Sequence, residues 1–381
     1  MKRTAFVVAV LGLILFELAN VWFIMPLPFS QRVRSIDIAY ALYSWRWAVR
    51  GVLGVMLLWG VASAWRTPGW RRLLTPLALL LLAAVTYMTN FEMSADHMFL
   101  MPERLTMRPA AQSTVEKNRL VVGVERNGEA RAYPVQFIGY HHQVQDTVGG
   151  EPVLVTFCTV CRTGRIFSPI IDGRAERFRL VGMDHFNAML EDESTGTWWR
   201  QANGEAVSGP RKGAMLTEVP SRQVTLALWL EMYPQSLIMQ ADSALRDRYP
   251  KNFDYETGTS KSVLTGTDTA SWHDKSWVVG LTVGSVSKAY DWNQLRRERA
   301  INDVVGGTPV VVVLATDGAS FFVYARPDTT TRFTMRGDSL VSTSAAFGLS
   351  GRGASGSLVP LQASQEFWHS WRTFQPRTLR Y

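Results

Sequence analysis

The two cysteines of the chain, Cys158 and Cys161, lie in the segment VTFCTVCRTG and are separated by two residues. This spacing allows three kinds of chemistry: a redox dithiol, part of a metal site, or an inert disulfide. Arg162 follows the second cysteine, and a cation beside a thiol favours the reactive thiolate. Because a c-type haem attachment motif needs His at that position, the segment predicts no covalently bound haem.

Two adjacent histidines, His141 and His142, precede a predicted hairpin that turns at the glycine pair of residues 149–150. A two-residue turn places His141 opposite Cys158, and directly opposed residues have Cβ atoms about 4.5–5.5 Å apart. One imidazole and two thiolates form a ligand set for Zn or Cu that needs a fourth ligand or water. We therefore predict that His141 and the two cysteines share one metal or redox site, with His142 as an accessory residue.

A second group of polar residues lies in the segment MDHFNAMLEDESTGTWWRQ, residues 183–201. His185 is a candidate fourth ligand, and Asp184, Asn187 and Trp199 are candidate accessory residues. The alternative is a loop whose aromatic side chains cover the sheet. The other histidines are predicted to be ordinary surface or core residues: His97, His273 and His369.

An internal repeat connects two parts of the chain. Residues 121–161 align without a gap with residues 278–318, at a constant offset of 157 positions. The alignment matches the Gly-Gly pairs at 149–150 and 306–307, whereas the two cysteines meet Ala315 and Gly318. A residue that only builds the fold should tend to recur in both copies. We therefore predict that the first copy carries the site and that the second is a degenerate copy retained for packing.

Glycine-containing turns flanked by alternating apolar residues predict antiparallel hairpins at residues 127–128, 149–150 and 172–173. The segment TLALWLEMYP is typical of a short amphipathic helix. The predicted fold is therefore mainly β (α+β), with N-terminal transmembrane helices followed by two tandem related antiparallel β units and a few short helices. The predicted divisions are a membrane region (1–94), a first unit with the Cys/His site (95–240), a linker (241–276) and a degenerate second unit (277–381).

Three apolar segments are long enough, or nearly so, to cross a bilayer: residues 4–25, a stretch within 43–64, and 73 to about 88. Arg46 and Arg50 lie in the second, where we expect them to snorkel towards the lipid headgroups. Basic residues at the N-terminus and in the connector RTPGWRR predict a cytoplasmic N-terminus. Arg32 and Arg34 oppose this orientation without reversing it. We expect an inner-membrane protein whose soluble part is periplasmic or extracellular.

The motifs NGEARAYP, HHQVQDTVGGEPVLVTFCTVCRTG and STGTWWRQANGEAVSGP resemble the DUF3179 family over nearly all of the soluble part. The resemblance implies that His141, Cys158 and Cys161 occupy the family's characteristic His and Cys-x-x-Cys positions. The family usually has Cys-Pro-x-Cys-Gly where this chain has Thr159 and Arg162. The resemblance implies a fold, a membrane context and site positions, but no reaction.

Two functions of different classes fit these observations. The first is a membrane-anchored extracytoplasmic protein whose Cys/His site binds a transition metal or carries out thiol redox chemistry. The second is a non-catalytic assembly subunit that packs on partner membrane proteins and has a structural disulfide. Hydrolase motifs and a nucleotide-binding loop are absent from the sequence. The net charge of +8 owes much to the membrane flanks, so we predict a lipid bilayer as partner and no nucleic acid.

Overall fold

The computed structural model describes residues 1–33 and 35–381, so Arg34 lies outside the described residues. The α-helices are α1 (Lys2–Ile24), α2 (Ile36–Trp65), α3 (Leu74–Tyr87), α4 (Ala95–Met98), α5 (Val135–His141), α6 (Leu226–Met232), α7 (Asp254–Thr257), α8 (Trp292–Glu298) and α9 (Trp368–Phe374). A π-helix, Met88–Glu92, continues α3, and 3₁₀ turns occupy Ser30–Arg32, Gly69–Leu73, Ala110–Gln112 and Ser243–Arg248. Helices are thus long at the N-terminus and short elsewhere.

Short strands make up most of the remaining chain. The first are β1 (Met107–Pro109), β2 (Leu120–Arg126), β3 (Glu129–Pro134), β4 (Gln143–Val148), β5 (Glu151–Cys158), β6 (Thr163–Phe167), β7 (Ile170–Ile171), β8 (Arg174–Ala175), β9 (Phe178–Asp184), β10 (Asn187–Asp192), β11 (Trp198–Arg200), β12 (Ala206–Ser208), β13 (Glu218–Val219), β14 (Arg222–Thr225) and β15 (Leu237–Met239).

The later strands are β16 (Trp277–Val283), β17 (Val286–Asp291), β18 (Ala300–Val305), β19 (Thr308–Leu314), β20 (Phe321–Ala325), β21 (Thr334–Arg336), β22 (Ser339–Val341), β23 (Ala346–Gly348), β24 (Arg352–Gly353), β25 (Gly356–Ser357), β26 (Val359–Pro360), β27 (Ala363–Phe367) and β28 (Leu379–Arg380). The mainly β character predicted for the soluble part is confirmed.

Three helical segments are long and apolar enough to cross a membrane, as predicted: Lys2–Ile24, Ile36–Trp65 and Gly69–Glu92. The second begins at Ile36, earlier than predicted, because the residues before Tyr43 form the first turns of the same helix. The chain forms two compact units. We call Met1–Leu100, Phe178–Arg200 and Ala206–Ala214 the membrane unit, and Met101–Arg177, Gln201–Glu205 and Met215–Tyr381 the β unit.

The membrane unit contains a small antiparallel sheet besides its helices, in the order β12-β11-β10-β9. One face of this sheet packs on α1 and α2. The buried residues of the contact are Ala39, Val181, Met189, Trp198 and Val207. The apolar ends of two candidate membrane helices are thereby covered by the sheet.

The strand orders of the two halves of the β unit correspond, apart from the additional strand β1 in the first half. The first half contains sheets β1-β15-β3-β2-β14 and β13-β6-β5-β4, and the second contains β27-β16-β17-β28 and β18-β19-β20-β26. The β15–β3 and β17–β28 pairs are parallel, whereas the other paired strands are antiparallel. The sheets are therefore mainly antiparallel, as the hairpin turns predict.

Corresponding turns share their geometry as well. Gly149 and Gly150 have φ of 56° and 81°, and Gly306 and Gly307 have φ of 55° and 82°. These left-handed values favour glycine, which has no Cβ to clash. The three predicted hairpin turns are confirmed, since residues 126 and 129, 148 and 151, and 171 and 174 pair across them.

A glycine in a central strand of each half makes room for a tryptophan ring. A Cβ on Gly123 would lie 2.4 Å from the Trp229 ring of α6, and a Cβ on Gly280 would lie 2.2 Å from the Trp371 ring of α9. Both contacts are far closer than van der Waals packing allows. The short helices are therefore seated on the sheets by direct contact between a ring and the backbone.

We predict that Gly123→Ala destabilises the β unit by about 1–3 kcal/mol, because the added methyl group must displace the Trp229 ring. Urea unfolding of the full chain in detergent, followed by tryptophan fluorescence, measures the change. Gly348→Ala is the matched control, since its Cβ would meet nothing closer than 3.9 Å. Equal unfolding midpoints for the two variants would contradict this account of the packing.

Candidate functional site

The cysteines lie at a tight turn between two central strands. Cys158 ends β5 and pairs with Thr163, the first residue of β6, and Cys161 lies in the intervening loop. Both cysteines have 0% of their surface exposed. The two cysteines approach each other to 3.4 Å. This distance is longer than the sulfur–sulfur bond of a disulfide, roughly 2.05 Å. A small side-chain movement would bring the two sulfur atoms to bonding distance.

Arg162 closes the loop in a left-handed conformation, with φ of 58°. This conformation costs a non-glycine residue about 1–2 kcal/mol and must be held by its surroundings. The buried guanidinium donates to the backbone carbonyl oxygens of Tyr255 (2.7 Å) and Glu256 (3.0 Å). It also donates to Gln365 Oε1 (2.9 Å) and lies 3.7 Å from the centre of the Trp277 ring. Arg162 thus ties the cysteine loop to the second half and to the predicted linker, residues 241–276, which we call the connector from here on.

Lys275 brings a second cation to the loop. Its Nζ donates to the carbonyl oxygen of Val160 at 3.1 Å and to that of Leu264. Burial lowers the pKa of Lys275, and charge on Cys161, Cys158 and Asp274 acts in the opposite direction, in that order of strength. The two cysteines are therefore among the groups that could supply negative charge to this ammonium.

Other backbone groups of the loop are also bonded. The hydroxyl of Tyr255 donates to the carbonyl oxygen of Thr159 at 3.0 Å, and the backbone N–H of Phe367 donates to that of Cys161 at 2.9 Å. His369 Nε2 lies 3.1 Å from the carbonyl oxygen of Val160 and 3.5 Å from Lys275 Nζ. Burial and the charge of Lys275 lower the pKa of His369 to about 4, so the imidazole is neutral near pH 7.

His369 was predicted to be an ordinary residue, and the structure places it against the cysteine loop. Tyr255 and Lys275 belong to none of the motifs found in the sequence. These three residues are far from the cysteines along the chain, and no local pattern marks them. The composition of the connector was the one sequence feature that could have indicated these contacts. A segment that serves only as a spacer does not need aromatic and basic side chains that become buried.

The predicted strand position of His141 is wrong, although the hairpin register is right. β4 and β5 pair in the expected register from Gln143 and Thr156 onwards. His141, however, is the last residue of α5, which follows Pro134 and buries Val135, Ile138 and His141 along one side. Helical spacing of apolar residues in this segment, rather than strand alternation, decides the local structure. His141 therefore does not oppose Cys158 in the sheet.

Both members of the histidine pair are buried and hydrogen-bonded. His141 Nε2 lies 2.8 Å from the hydroxyl of Tyr249. His142 caps α5 with φ of 63°, and its Nδ1 donates to the carbonyl oxygen of Tyr140 at 3.0 Å. Burial lowers the pKa of His142 to about 4. His142 is therefore neutral near pH 7.

The described residues do not fit a metal centre. No group of three or more His, Cys, Asp or Glu side chains converges within residues 1–33 and 35–381 in a way that could hold an ion. A zinc or copper site needs three or four such donors about 2.0–2.3 Å from one point. Zn or Cu bound by His141, Cys158, Cys161 and His185 stays a hypothesis from the sequence, and we derive no chemistry through a metal.

The second predicted group lies in the membrane unit and forms a network of its own. Asp184 accepts hydrogen bonds of 2.6 Å from both His185 Nδ1 and Arg200 Nε. Burial works to raise the pKa of Asp184, but the bond from His185 and the charge of Arg200 outweigh it, so the pKa lies below its usual value. Asn187 is buried at the start of β10, and Trp199 Nε1 donates to Asp192 Oδ2 at 2.8 Å.

His185 and Phe186 form the turn between β9 and β10, with φ of 52° and 66°. Two consecutive left-handed residues that are not glycine are uncommon. Asn187 pairs with Asp184 across this turn. The bond between His185 and Asp184 therefore helps to hold a strained hairpin. Trp199 lies in β11 with 1% of its surface exposed.

Comparison with known proteins identifies the family. The chain belongs to the DUF3179 family, described as a protein of unknown function, whose sequence profile matches residues 103–378. No curated protein and no solved structure matches the chain. The match covers the cysteine loop, the connector and both halves of the β unit.

We predict that acid destabilises the β unit between pH 6.5 and 4. Because the pKa of His369 falls from 6.5 to about 4 on folding, the unfolded chain binds a proton in this range and the native state does not. Stability should fall by about 1.4 kcal/mol per pH unit for each such histidine. His369→Gln, whose amide can still donate to Val160, should flatten the pH profile of the urea midpoint.

His142 contributes a similar slope, so the variant should lose about half of the acid sensitivity rather than all of it. The exposed residue His273 provides the control, and His273→Gln should follow the wild-type profile. A profile for His369→Gln that coincides with wild type would show that His369 is protonated equally in both states.

Proposed function

We propose that this DUF3179 protein is a membrane-anchored thiol protein whose Cys158–Cys161 pair cycles between dithiol and disulfide outside the cytoplasm. The observation that carries the proposal is the position of Lys275, whose ammonium donates to the carbonyl oxygen of Val160, a residue between the two cysteines, at 3.1 Å. A partly buried cation needs a counter-charge or polar partners. A thiolate at either cysteine meets that need and is the nucleophilic form of the thiol.

The surroundings of the loop support a stabilised thiolate. Arg162 is a second cation, and its partners are carbonyl oxygens, an amide oxygen and an aromatic ring rather than a carboxylate. The nearby carboxylate of Glu256 is occupied by Arg119 (2.7 Å) and by the backbone N–H of Leu120 (2.6 Å). Lys275 and Arg162 therefore bring two positive charges to the cysteine loop, and a cation near a thiol lowers the free energy of the thiolate.

The reaction we propose is thiol–disulfide exchange with a disulfide-containing substrate. One thiolate attacks a substrate sulfur atom, which forms a mixed disulfide and releases the other substrate sulfur as a thiolate. The second cysteine, after losing its proton, attacks the mixed disulfide and forms the Cys158–Cys161 bond. Two electrons pass to the substrate, which leaves as a dithiol after taking up one proton from the second cysteine and one from solvent.

Access to the sulfur atoms requires local opening, since both cysteines are buried. Tyr255 and Lys275 cover the loop from the connector and attach to it through Thr159 and Val160. Exposed loops open at lower free energy than core strands. We therefore assign to the connector the role of a cover that admits the substrate when these two hydrogen bonds and those from Arg162 to Tyr255 and Glu256 break.

The alternative function is a non-catalytic assembly subunit with an inert disulfide, and the complete burial of both cysteines favours it. The two functions differ in reduction potential. Structural disulfides typically have potentials below about −300 mV, whereas catalytic and regulatory pairs lie higher. The potential of the pair therefore decides between them.

We further propose that the two halves of the β unit arose by duplication, supported by their corresponding strand orders and matching turns. Further support comes from equivalent Tyr-to-Asp hydrogen bonds, Tyr133 to Asp146 at 2.6 Å and Tyr290 to Asp303 at 2.9 Å. The second half lacks the cysteines but supplies Gln365, Phe367 and His369 to the loop. Its retention then has a physical reason, because the site is incomplete without it.

We predict that Lys275→Gln lowers the reduction potential of the pair by about 30 mV, a tenfold change in the exchange equilibrium. Lys275 stabilises the reduced, thiolate-containing form, so its loss favours the disulfide. The measurement equilibrates the full chain with glutathione buffers and counts thiols by alkylation and mass spectrometry. Lys261→Gln, at an exposed position of the same connector, is the control and should match wild type.

Three results would contradict the proposal. One is a wild-type potential below about −300 mV, which would favour the inert disulfide. Another is an equal potential for wild type and Lys275→Gln. The third is stoichiometric Zn or Cu in protein purified without chelators, which would restore the metal hypothesis.

For topology, we predict a cytoplasmic N-terminus and an extracytoplasmic β unit, because basic residues cluster at the N-terminus and between the second and third membrane helices. Alkaline phosphatase fused after Tyr381 should be active in a bacterial host, since this reporter folds only outside the cytoplasm. The same fusion made after Arg66 should be inactive. The reverse pattern would place the cysteines in a reducing compartment and remove the redox argument.

A further inference from the structure

The membrane unit contains a buried polar cluster that joins its three long helical segments. Glu17 of α1 is only 2% exposed. Arg50 of α2 donates to both of its carboxylate oxygens at 2.7 Å. Asn90, near the end of the third segment, donates to Glu17 at 2.9 Å and accepts from Arg50 at 2.6 Å. Arg50 is therefore paired inside the bundle, which corrects the expectation that it snorkels to the headgroups.

A cavity of about 120 Å³ adjoins this cluster. Since a water molecule occupies about 30 Å³ in the liquid, the cavity is large enough for a group the size of phosphate. Three guanidinium groups and one carboxylate line it, those of Arg46, Arg50, Arg179 and Glu17. Because Glu17 is neutralised by Arg50, the cavity presents an excess of positive charge.

Arg46 is the one arginine among these lining residues whose charge is not paired with a carboxylate. Arg179 is paired with Glu191 at 2.6 Å and with Asp96 at 2.7 Å. The Arg46 guanidinium stacks on the ring of Tyr43, with its carbon 3.6 Å from the ring centre, and donates to the Tyr43 carbonyl oxygen at 2.5 Å. No ion pair of Arg46 occurs among residues 1–33 and 35–381. Stacking fixes the planar fork in place and leaves donors for an anion.

The depth of the cavity matches that of lipid headgroups. Trp45 and Trp47, the neighbours of Arg46 on α2, are 68% and 69% exposed. Exposed tryptophans on a membrane helix mark the interface, where the phosphates of the lipids lie. Apolar residues complete the walls, including Val21 and Ile24 of α1 and Val181 of β9. The site thus has a cationic end and an apolar side. These complement the phosphate group and the acyl chains of a phospholipid.

We propose that this cavity binds a phosphate group, with the unpaired charge of Arg46 as its principal ligand. Arginine binds phosphate oxygens in a bidentate manner, and its pre-organised fork loses little entropy in doing so. An anionic phospholipid and free inorganic phosphate share this chemistry. The site is separate from the cysteine pair and does not depend on the proposed redox function.

The test uses full-length protein purified in mild detergent, with retained phospholipid counted by native mass spectrometry. Wild type should keep one phospholipid per chain, and Arg46→Gln should lower that occupancy at least fivefold. Arg66→Gln is the matched control, since Arg66 is an exposed arginine at the other end of α2. Arg46→Lys keeps the charge but loses the fork, so its occupancy should fall between the two and provides a variant if Arg46→Gln folds poorly.

A second arm titrates delipidated protein with inorganic phosphate. Binding that is lost in Arg46→Gln, without retained phospholipid in wild type, supports the site and identifies free phosphate as its source. Retained phospholipid that inorganic phosphate does not displace supports the lipid. The proposal is overturned if wild type retains no phospholipid and binds no phosphate, or if Arg46→Gln and Arg46→Lys both behave like wild type and Arg66→Gln.

Discussion

A buried turn is stable only when its polar backbone groups find partners, and the cysteine loop meets this constraint with residues from distant parts of the chain. The carbonyl oxygens of Thr159, Val160 and Cys161 each accept a hydrogen bond from the connector or from the second half. The loop therefore cannot be formed by the first half alone. This requirement explains why a connector that looks like a spacer contains buried side chains, and why a copy without cysteines is retained.

The same partners determine the electrostatics of the loop. Lys275 and Arg162 donate hydrogen bonds to backbone carbonyl oxygens and so help to close the turn. The same bonds hold two cations at the cysteine loop. Hydrogen bonding to carbonyls offsets only part of the cost of burying an ammonium or guanidinium group. A thiolate supplies the missing negative charge. In this account, structure and reactivity share one set of contacts, and opening the connector both exposes the cysteines and removes a stabilising cation.

Local patterns in the sequence predicted much of the fold but only part of the site. The turn at Gly149 and Gly150 determined the register of β4 and β5 because a tight hairpin fixes every pair that follows it. The prediction that His141 extends this pairing was wrong. His141 belongs to helix α5, and the pairing of β4 with β5 starts only at Gln143. The roles of Lys275 and His369 could not be predicted from one sequence, because they depend on tertiary contacts that no local periodicity encodes. The pairing of Arg50 with Glu17 was missed for the same reason.

The central claim is that the Cys158–Cys161 pair changes its redox state in the living membrane. Rapid acid quenching of cells, followed by alkylation with a maleimide and mass spectrometry of the purified chain, measures the fraction in each state. We expect both dithiol and disulfide forms to be present, and brief treatment of the cells with dithiothreitol or diamide to shift their ratio reversibly. A pair that is wholly oxidised and resists dithiothreitol in the folded protein, or that stays wholly reduced under diamide, would contradict the account.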